Sequence, residues 1–218
     1  ASTAAGIASG GSLRVIDKIR FPHSLGVLYT TITQYLGFSN YGDEYKVMGL
    51  APYGKPTYRN KIKSLIQLHD SGRFELNLKF FRHHRLALDH QWEEGTPYCD
   101  NHVTQALVNL LGPPRDKEEP ISQFHMDIAA SIQSVYEEAF FNLINAISVD
   151  ESVNSICLAG GCAANSVANG KISLRTKYRN VYVQPAPGDA GGAMGAALYV
   201  EKNVLGNLIR PLKNAYLG

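Results

Sequence analysis

Two glycine-rich joints constrain this chain more than any other feature: Leu158-Ala159-Gly160-Gly161-Cys162-Ala163-Ala164-Asn165 and Gln184-Pro185-Ala186-Pro187-Gly188-Asp189-Ala190-Gly191-Gly192. Each follows a short apolar run, Ser155 to Ala159 in the first case and Val181 to Gln184 in the second. Short apolar runs closed by Gly or Pro read as buried strands. Helical stretches follow both joints, one through Asn165 and Val167, the other from Asp189 through Ala193, Ala196, Ala197 and Val200. Upstream, Met126, Ala129, Ile132, Tyr136, Ala139, Phe140, Leu143 and Ile147 form one apolar face of a long helix, with Ser131, Ser134, Glu137, Glu138 and Asn142 off it. Helix, strand, helix, strand, helix with short joints predicts α/β layering, a mixed sheet flanked by helices.

The first third has a different texture. Ser9-Gly10-Gly11-Ser12 separates two strand-like runs, a hairpin signal because paired glycines accept the positive φ of a tight turn. Leu13, Val15 and Ile19 share one face of the second run and Arg14, Lys18 and Arg20 the other, which predicts a half-buried strand. Leu25, Leu28, Ile32, Tyr35 and Leu36 are at helical spacing and end at Gly37, a plausible C-terminal cap. A second helix is expected over 43–51, stopping before Pro52, and a third over 58–68, closed by Asp70-Ser71-Gly72. Residues 73–120 read as an irregular insertion. The expected organisation is therefore a hairpin with helices over 1–72, the insertion over 73–120, and the α/β half over 121–218.

Charge and length narrow the function classes. The chain has 218 residues, with 21 Lys and Arg against 19 Asp and Glu, a net charge of +2. That balance does not support a nucleic-acid or polybasic membrane role. No apolar run approaches the roughly 20 residues of a membrane-spanning helix. Three cysteines, Cys99, Cys157 and Cys162, form no Cys-x-x-Cys pair, which favours reduced thiols and a cytoplasmic location. The chain opens on Ala1-Ser2-Thr3-Ala4-Ala5-Gly6 and closes over Arg210 to Gly218 without a capped helix, so it reads as the interior of a longer polypeptide.

In an open α/β sheet, ligands gather at the carboxyl ends of strands. Gly160 and Gly161 would let a phosphate or ribose approach the backbone, and the Asn165 amide would donate and accept hydrogen bonds. The alternative is tight strand–helix packing with no ligand. There is no GxxxxGK[ST] loop, so the Walker nucleotide class is excluded. Asp189 fits a helix N-cap better than a metal ligand on sequence alone, because no His-x-x-x-His supplies partners. His83, His84 and His90 suit a solvated loop better than a metal site. Cys162, near a helix start, suits burial as a small apolar residue better than a reactive thiol.

Five segments together carry a resemblance: Arg20-Phe21-Pro22-His23-Ser24-Leu25-Gly26; Glu44 through Gly54; His125 through Gln133; Ala159 through Gly170; and Gln184 through Ala193. In this order they resemble the nodulation and antibiotic O-carbamoyltransferase family. The Gly-Gly-x-Ala-Ala-Asn element is also similar to the tRNA threonylcarbamoyl transferase family. The resemblance implies an actin-like ATPase (ribonuclease H-like) subdomain, the latter half of an actin-like domain. It implies transfer of a carbamoyl group from carbamoyladenylate, made from carbamoyl phosphate and ATP, to the hydroxyl of a small molecule beside a divalent iron. By that likeness Gly160, Gly161 and Asn165 would hold the adenylate, with Tyr45, Lys46, His23, Ser24 and Gly26 lining the same cleft. Asp189 would be one metal ligand. A histidine pair and a second Asp would lie before Ala1, and an adenylate-forming domain after Gly218, so this chain alone is expected to be inactive. No catalytic residue is assigned. The competing reading is a non-catalytic nucleotide-binding or assembly module on the same fold.

Overall fold

The computed structural model describes residues 1–86, 90–93, 96–147, 150 and 152–208. The side chains of His90, Trp92 and Cys99, and the segment from Arg210 to Gly218, lie outside the described residues. The chain divides into two units, Ala1–Glu151 and Ser152–Gly218.

The first unit begins with an antiparallel hairpin, β1 (Thr3–Ser9) and β2 (Ser12–Ile19), turning at Gly10 and Gly11, both at positive φ. The register shifts between Ala5 and Gly6. The expected half-buried face is not formed: Ile19 is buried, but Leu13 is 71% exposed and Val15 is exposed too. Alternation alone therefore misjudged this strand, because no described element packs against its tip.

Helix α1 (Leu25–Tyr35) follows, capped by Ser24, whose hydroxyl accepts from the Val27 N–H at 3.3 Å. All five residues of its predicted face are buried. Its C-terminal end is clamped by Arg115, which donates to the Leu36 carbonyl at 2.6 Å and to the Glu119 carbonyl, while its own N–H reaches the Tyr35 carbonyl at 2.9 Å. Cations at a helix C-terminus meet unsatisfied carbonyls and the negative end of the dipole. Helix α2 (Glu44–Leu50) continues as a 3-10 turn over Ala51–Tyr53.

The helix expected over 58–68 is shorter. Helix α3 (Arg59–Lys63) gives way to strand β3 (Ile66–Leu68), which pairs antiparallel with β4 (Phe74–Leu76). Pairing buries Ile66, Phe74 and Leu76 together, a tertiary gain that outweighs the weak helix preference of the segment. The insertion is also more ordered than its sequence implies. It holds β4, a 3-10 turn over Leu78–Phe80, the hairpin β5 (His90–Glu93) and β6 (Thr96–Cys99), and α4 (Gln105–Leu111), capped by Thr104.

Helix α5 (Gln123–Ala146) organises this unit and packs against α1, α2, α3 and the Ala51–Tyr53 turn. It is buried further round than a single apolar face allows. Ser131 and Glu137, expected to face outward, are buried, and so is Gln133. Buried polar groups need partners. The Ser131 hydroxyl donates to the Asp127 carbonyl at 2.6 Å and accepts from the Tyr58 N–H at 3.0 Å. The Tyr29 hydroxyl donates to Gln133 Oε1 at 2.9 Å, and Gln133 Nε2 donates to Glu137 at 3.1 Å. At the entry to α5, Gly54 sits so close that a Cβ there would lie 2.0 Å from the Met126 carbonyl oxygen. Asp127 anchors the same loop through the Lys55 N–H at 2.8 Å and the Thr57 hydroxyl at 3.2 Å.

The second unit contains β7 (Ser155–Leu158) and β8 (Asn180–Val183), paired in parallel. Between them run a 3-10 turn over Gly161–Ala164, α6 (Ser166–Asn169) and α7 (Ile172–Arg175), and α8 (Gly191–Asn203) follows. The layering is α/β as expected, but the expected mixed sheet is not formed: the described strands make four separate two-stranded sheets, three antiparallel and one parallel, because each strand pairs only with its neighbour in sequence. The strands were expected to be buried, but Cys157, Val181 and Tyr182 are exposed. The Gly191–Asn203 helix buries no residue.

Candidate functional site

The geometry of the second unit follows from its two joints. In a parallel pair both carboxyl ends lie on one edge, so the loops after β7 and β8 emerge side by side. The Gly160 N–H donates to the Pro187 carbonyl at 2.6 Å and ties the loops together. Gly160 has a φ of 100°, where a side chain would be strained, and a Cβ at either Gly160 or Gly161 would meet nothing within 4 Å. These glycines are therefore not packing devices. They leave open backbone at the sheet edge.

Asn165 is placed differently from expectation. It does not lie one turn into a helix but is the N-cap of α6, its Oδ1 accepting from the Ala168 N–H at 3.0 Å. The short 3-10 turn takes up the residues that periodicity assigned to the helix. Nearby, Asn169 Nδ2 donates to the Ala163 carbonyl at 2.7 Å and stiffens the same turn. Asp189 is not a cap either. Ala190 holds the N-cap position of α8 without a side-chain bond, and the Asp189 carbonyl accepts from the Gly192 N–H at 2.6 Å. Its carboxylate is exposed, and nothing in the local backbone uses it. Cys162 is half-buried and Cys157 exposed, and neither is in a disulfide.

The remaining candidates belong to the first unit. The His23 Nδ1 accepts from the Leu76 N–H at 3.0 Å, the strand-end hydrogen bond of a structural histidine. Its ring also lines a groove of about 710 Å³ with Asp17, Lys18, Arg20, His69 and Arg73. Ser24 is the α1 cap, and Gly26 lies in the first turn of that helix. Tyr45 is 63% exposed. Lys46 pairs with the buried Asp43 at 2.7 Å and lies 5.6 Å from the Phe38 ring centre. His83 Nε2 donates to the Pro22 carbonyl at 2.8 Å. Burial, then the neighbouring Arg85 and His83 charges, lower the pKa of His84. The structure thus brings Gly160 and Gly161 next to the loop that carries Asp189, and it places His23, Ser24, Gly26, Tyr45 and Lys46 in the other unit.

An iron ion needs several imidazole, thiolate or carboxylate ligands. Among the described residues no group of three or more His, Cys, Asp or Glu side chains is placed to hold a metal. Asp189 alone does not fit such an ion. Among the described residues no helix is long and apolar enough to cross a membrane.

The sequence has several relatives among known proteins. An uncharacterized protein of Synechocystis sp. is 40% identical over 225 residues, covering 100% of this chain and 34% of the relative. The nodulation protein NolO of Bradyrhizobium diazoefficiens is 34% identical over 201 residues, covering 91% of this chain and 32% of the relative. The nodulation protein NolNO of Sinorhizobium fredii is 33% identical over the same length, covering 91% of this chain and 26% of the relative. The chain thus spans at most about a third of the length of these relatives. Residues 2–198 match the family model described as the carbamoyltransferase N-terminus. A match running from the first hairpin through both glycine joints leaves no large part of the chain unaccounted for, and the chain belongs to the carbamoyltransferase family.

Proposed function

We propose that this chain is the nucleotide-facing portion of a carbamoyltransferase that passes a carbamoyl group from carbamoyladenylate to a substrate hydroxyl. One observation carries the reading: the open Gly160-Gly161 joint, tied to the second joint by the Gly160–Pro187 hydrogen bond, lies at the carboxyl ends of parallel strands with the exposed Asp189 carboxylate on the second loop. Backbone N–H groups without a Cβ in front of them can meet a nucleotide phosphate directly. Asn165, fixed as a cap, holds the turn that presents them.

In the reaction, the acceptor oxygen attacks the carbamoyl carbon and the bond from that carbon to the phosphate oxygen breaks. AMP leaves with the electron pair, and the hydroxyl proton is released. The work left to these residues is orientation of the leaving phosphate, which lowers the barrier by positioning alone. The overall fold proposed for this portion is actin-like, and its location cytoplasmic. We propose that ATP and carbamoyl phosphate are consumed outside this chain, which spans at most about a third of the length of its relatives. Asp189 is proposed as one ligand of a divalent iron whose other ligands come from outside this chain.

The test uses the longer polypeptide. Asp189→Asn keeps size and removes the anionic oxygen. The expected result is lost iron and lost carbamoyl transfer at an unchanged denaturation midpoint. Wild-type iron content and turnover would remove Asp189 from the site. Gly161→Val, placed in open space, should abolish AMP release from carbamoyladenylate without lowering stability; full activity there would return the glycines to a packing role.

A further inference from the structure

A hollow of about 430 Å³ opens in the first unit between α1, the turn from Phe38 to Tyr41, the start of α2 and the loop at His83 and Leu86. Its apolar wall is formed by Phe21, Val27, Phe38 and Leu86. Phe21 is 67% exposed and Leu86 is 46% exposed. Large apolar side chains left open around a concavity mark a surface that gains by taking up an apolar body.

The polar groups of the hollow are mostly used up. Gln34 Nε2 donates to the Asp100 carbonyl at 3.1 Å, and its Oε1 accepts from the His102 N–H at 2.7 Å. The Thr33 hydroxyl donates to the Tyr29 carbonyl at 3.0 Å. The Thr30 hydroxyl donates to Glu44 Oε1. That bond engages one oxygen of Glu44 and leaves Oε2 able to accept. His83 Nδ1, on the same lining, is buried with no hydrogen-bond partner, so the hollow presents an apolar wall, one carboxylate acceptor and one imidazole nitrogen.

Charge narrows the ligand further. The Phe38 ring already has two cations beside it, Lys46 Nζ at 5.6 Å and the Arg115 guanidinium at 5.1 Å from its centre. A cationic ligand against that ring would meet both. An anion would meet Glu44 across apolar walls, where unpaired charge is costly. What fits is an uncharged, flat body with a hydrogen-bond donor within reach of Glu44.

We propose that this hollow binds an uncharged aromatic or alicyclic alcohol, with its ring system against Phe21, Val27 and Phe38 and its hydroxyl donating to Glu44. The inference stands on the hollow alone and does not depend on the carbamoyl-transfer reading. It is tested with 2-naphthol, and with 2-methoxynaphthalene as the same body without a donor. Titrated into the protein, 2-naphthol should perturb the backbone amide resonances of Thr30, Phe38 and Glu44. It should bind about tenfold more tightly than the methoxy compound, the scale of one hydrogen bond to a charged acceptor. Glu44→Gln should weaken 2-naphthol by about that factor and leave 2-methoxynaphthalene unchanged. Val27→Trp, which fills the hollow from a half-exposed helix position, should abolish both. Equal binding of the two compounds to the wild-type protein overturns the proposal, as does 2-naphthol binding unaffected by Val27→Trp. If that variant does not fold, the wild-type amide map decides: perturbations confined to the 69–75 groove, or none at millimolar 2-naphthol, overturn it equally.

Discussion

The residues up to Glu151 and those from Ser152 onward treat apolar surface in opposite ways. In the first unit Leu28, Ile32, Tyr35, Ile62, Leu107, Ile128, Ile132 and Tyr136 are sealed around one long helix. In the second, the buried hydrophobic residues among those described are Ala163, Ala168, Ile172 and Tyr178, while Leu174, Tyr182, Tyr199, Val200 and Val204 are exposed. The motifs that carry the family resemblance in the second unit are loops of glycine, alanine and proline with little side-chain mass to bury. The first unit shows where stability resides. The second shows a lightly packed frame whose joints are free to face a ligand, in keeping with the low local stability common at binding loops.

The contrast can be broken most sharply at Gly54 and Ile132. Gly54→Ala would drive a Cβ to 2.0 Å from a backbone oxygen of α5, so it should destabilise at the top of the roughly 1–3 kcal/mol range for overpacking or beyond it. Urea denaturation measures the loss. A midpoint equal to wild type would mean that the loop at Gly54 is not locked to α5. The same measurement on Ile132→Ala, a side chain with 0% exposure, should give a loss of about 2–5 kcal/mol.

A pH effect sharpens the comparison at intermediate size. At the start of α5 the Ser122 N–H donates to His125 Nδ1 at 3.1 Å, a bond that needs the neutral imidazole. Burial lowers the His125 pKa from its ordinary 6.5, with Glu119 opposing and Arg115 adding to the effect. The folded pKa is depressed, so below 6.5 the unfolded chain binds the proton first. The stabilisation is complete above 6.5 and is lost as pH falls toward the folded value. His125→Gln keeps a capping side chain without the titration. Its denaturation midpoint should therefore vary less with pH below 6.5 than that of the wild type. Identical pH profiles would refute the assignment.

The smallest effect is expected in the second unit. Leu174 is 82% exposed, and Leu174→Ala should change stability by less than about 0.5 kcal/mol. A loss comparable with that of Ile132→Ala would show that the second unit is held by more than its visible contacts.

Some of this was legible in the residues and some was not. The hairpin turn at Gly10 and Gly11, α1 with its Gly37 end, the long helix α5 and the strands on either side of α6 follow from local signals, each written in consecutive residues. The second half of the helix expected over 58–68 was not, because Ile66 gains more from Phe74 and Leu76 than from its own turn. Nor were the exposure of Leu13 and Val15 and the burial of Ser131 and Glu137, since alternation and helical period name a face but not what covers it. At the candidate site the glycines were readable as open backbone, whereas the capping role of Asn165 and the failure of Asp189 to cap were not. A single residue of backbone offset at each joint decides which side chain meets the helix end.

What the sequence determined by itself is the first hairpin, α1, α5, the strand–helix alternation after α5, the family, and the two glycine joints, because these are written in short-range periodicity, turn residues and motifs. What only the tertiary structure decided is which faces are covered, which polar groups are paired inside the first unit, and that Gly160 reaches Pro187 across the sheet edge. Those outcomes depend on contacts between residues far apart in the chain, and no local pattern records the free energy of bringing them together.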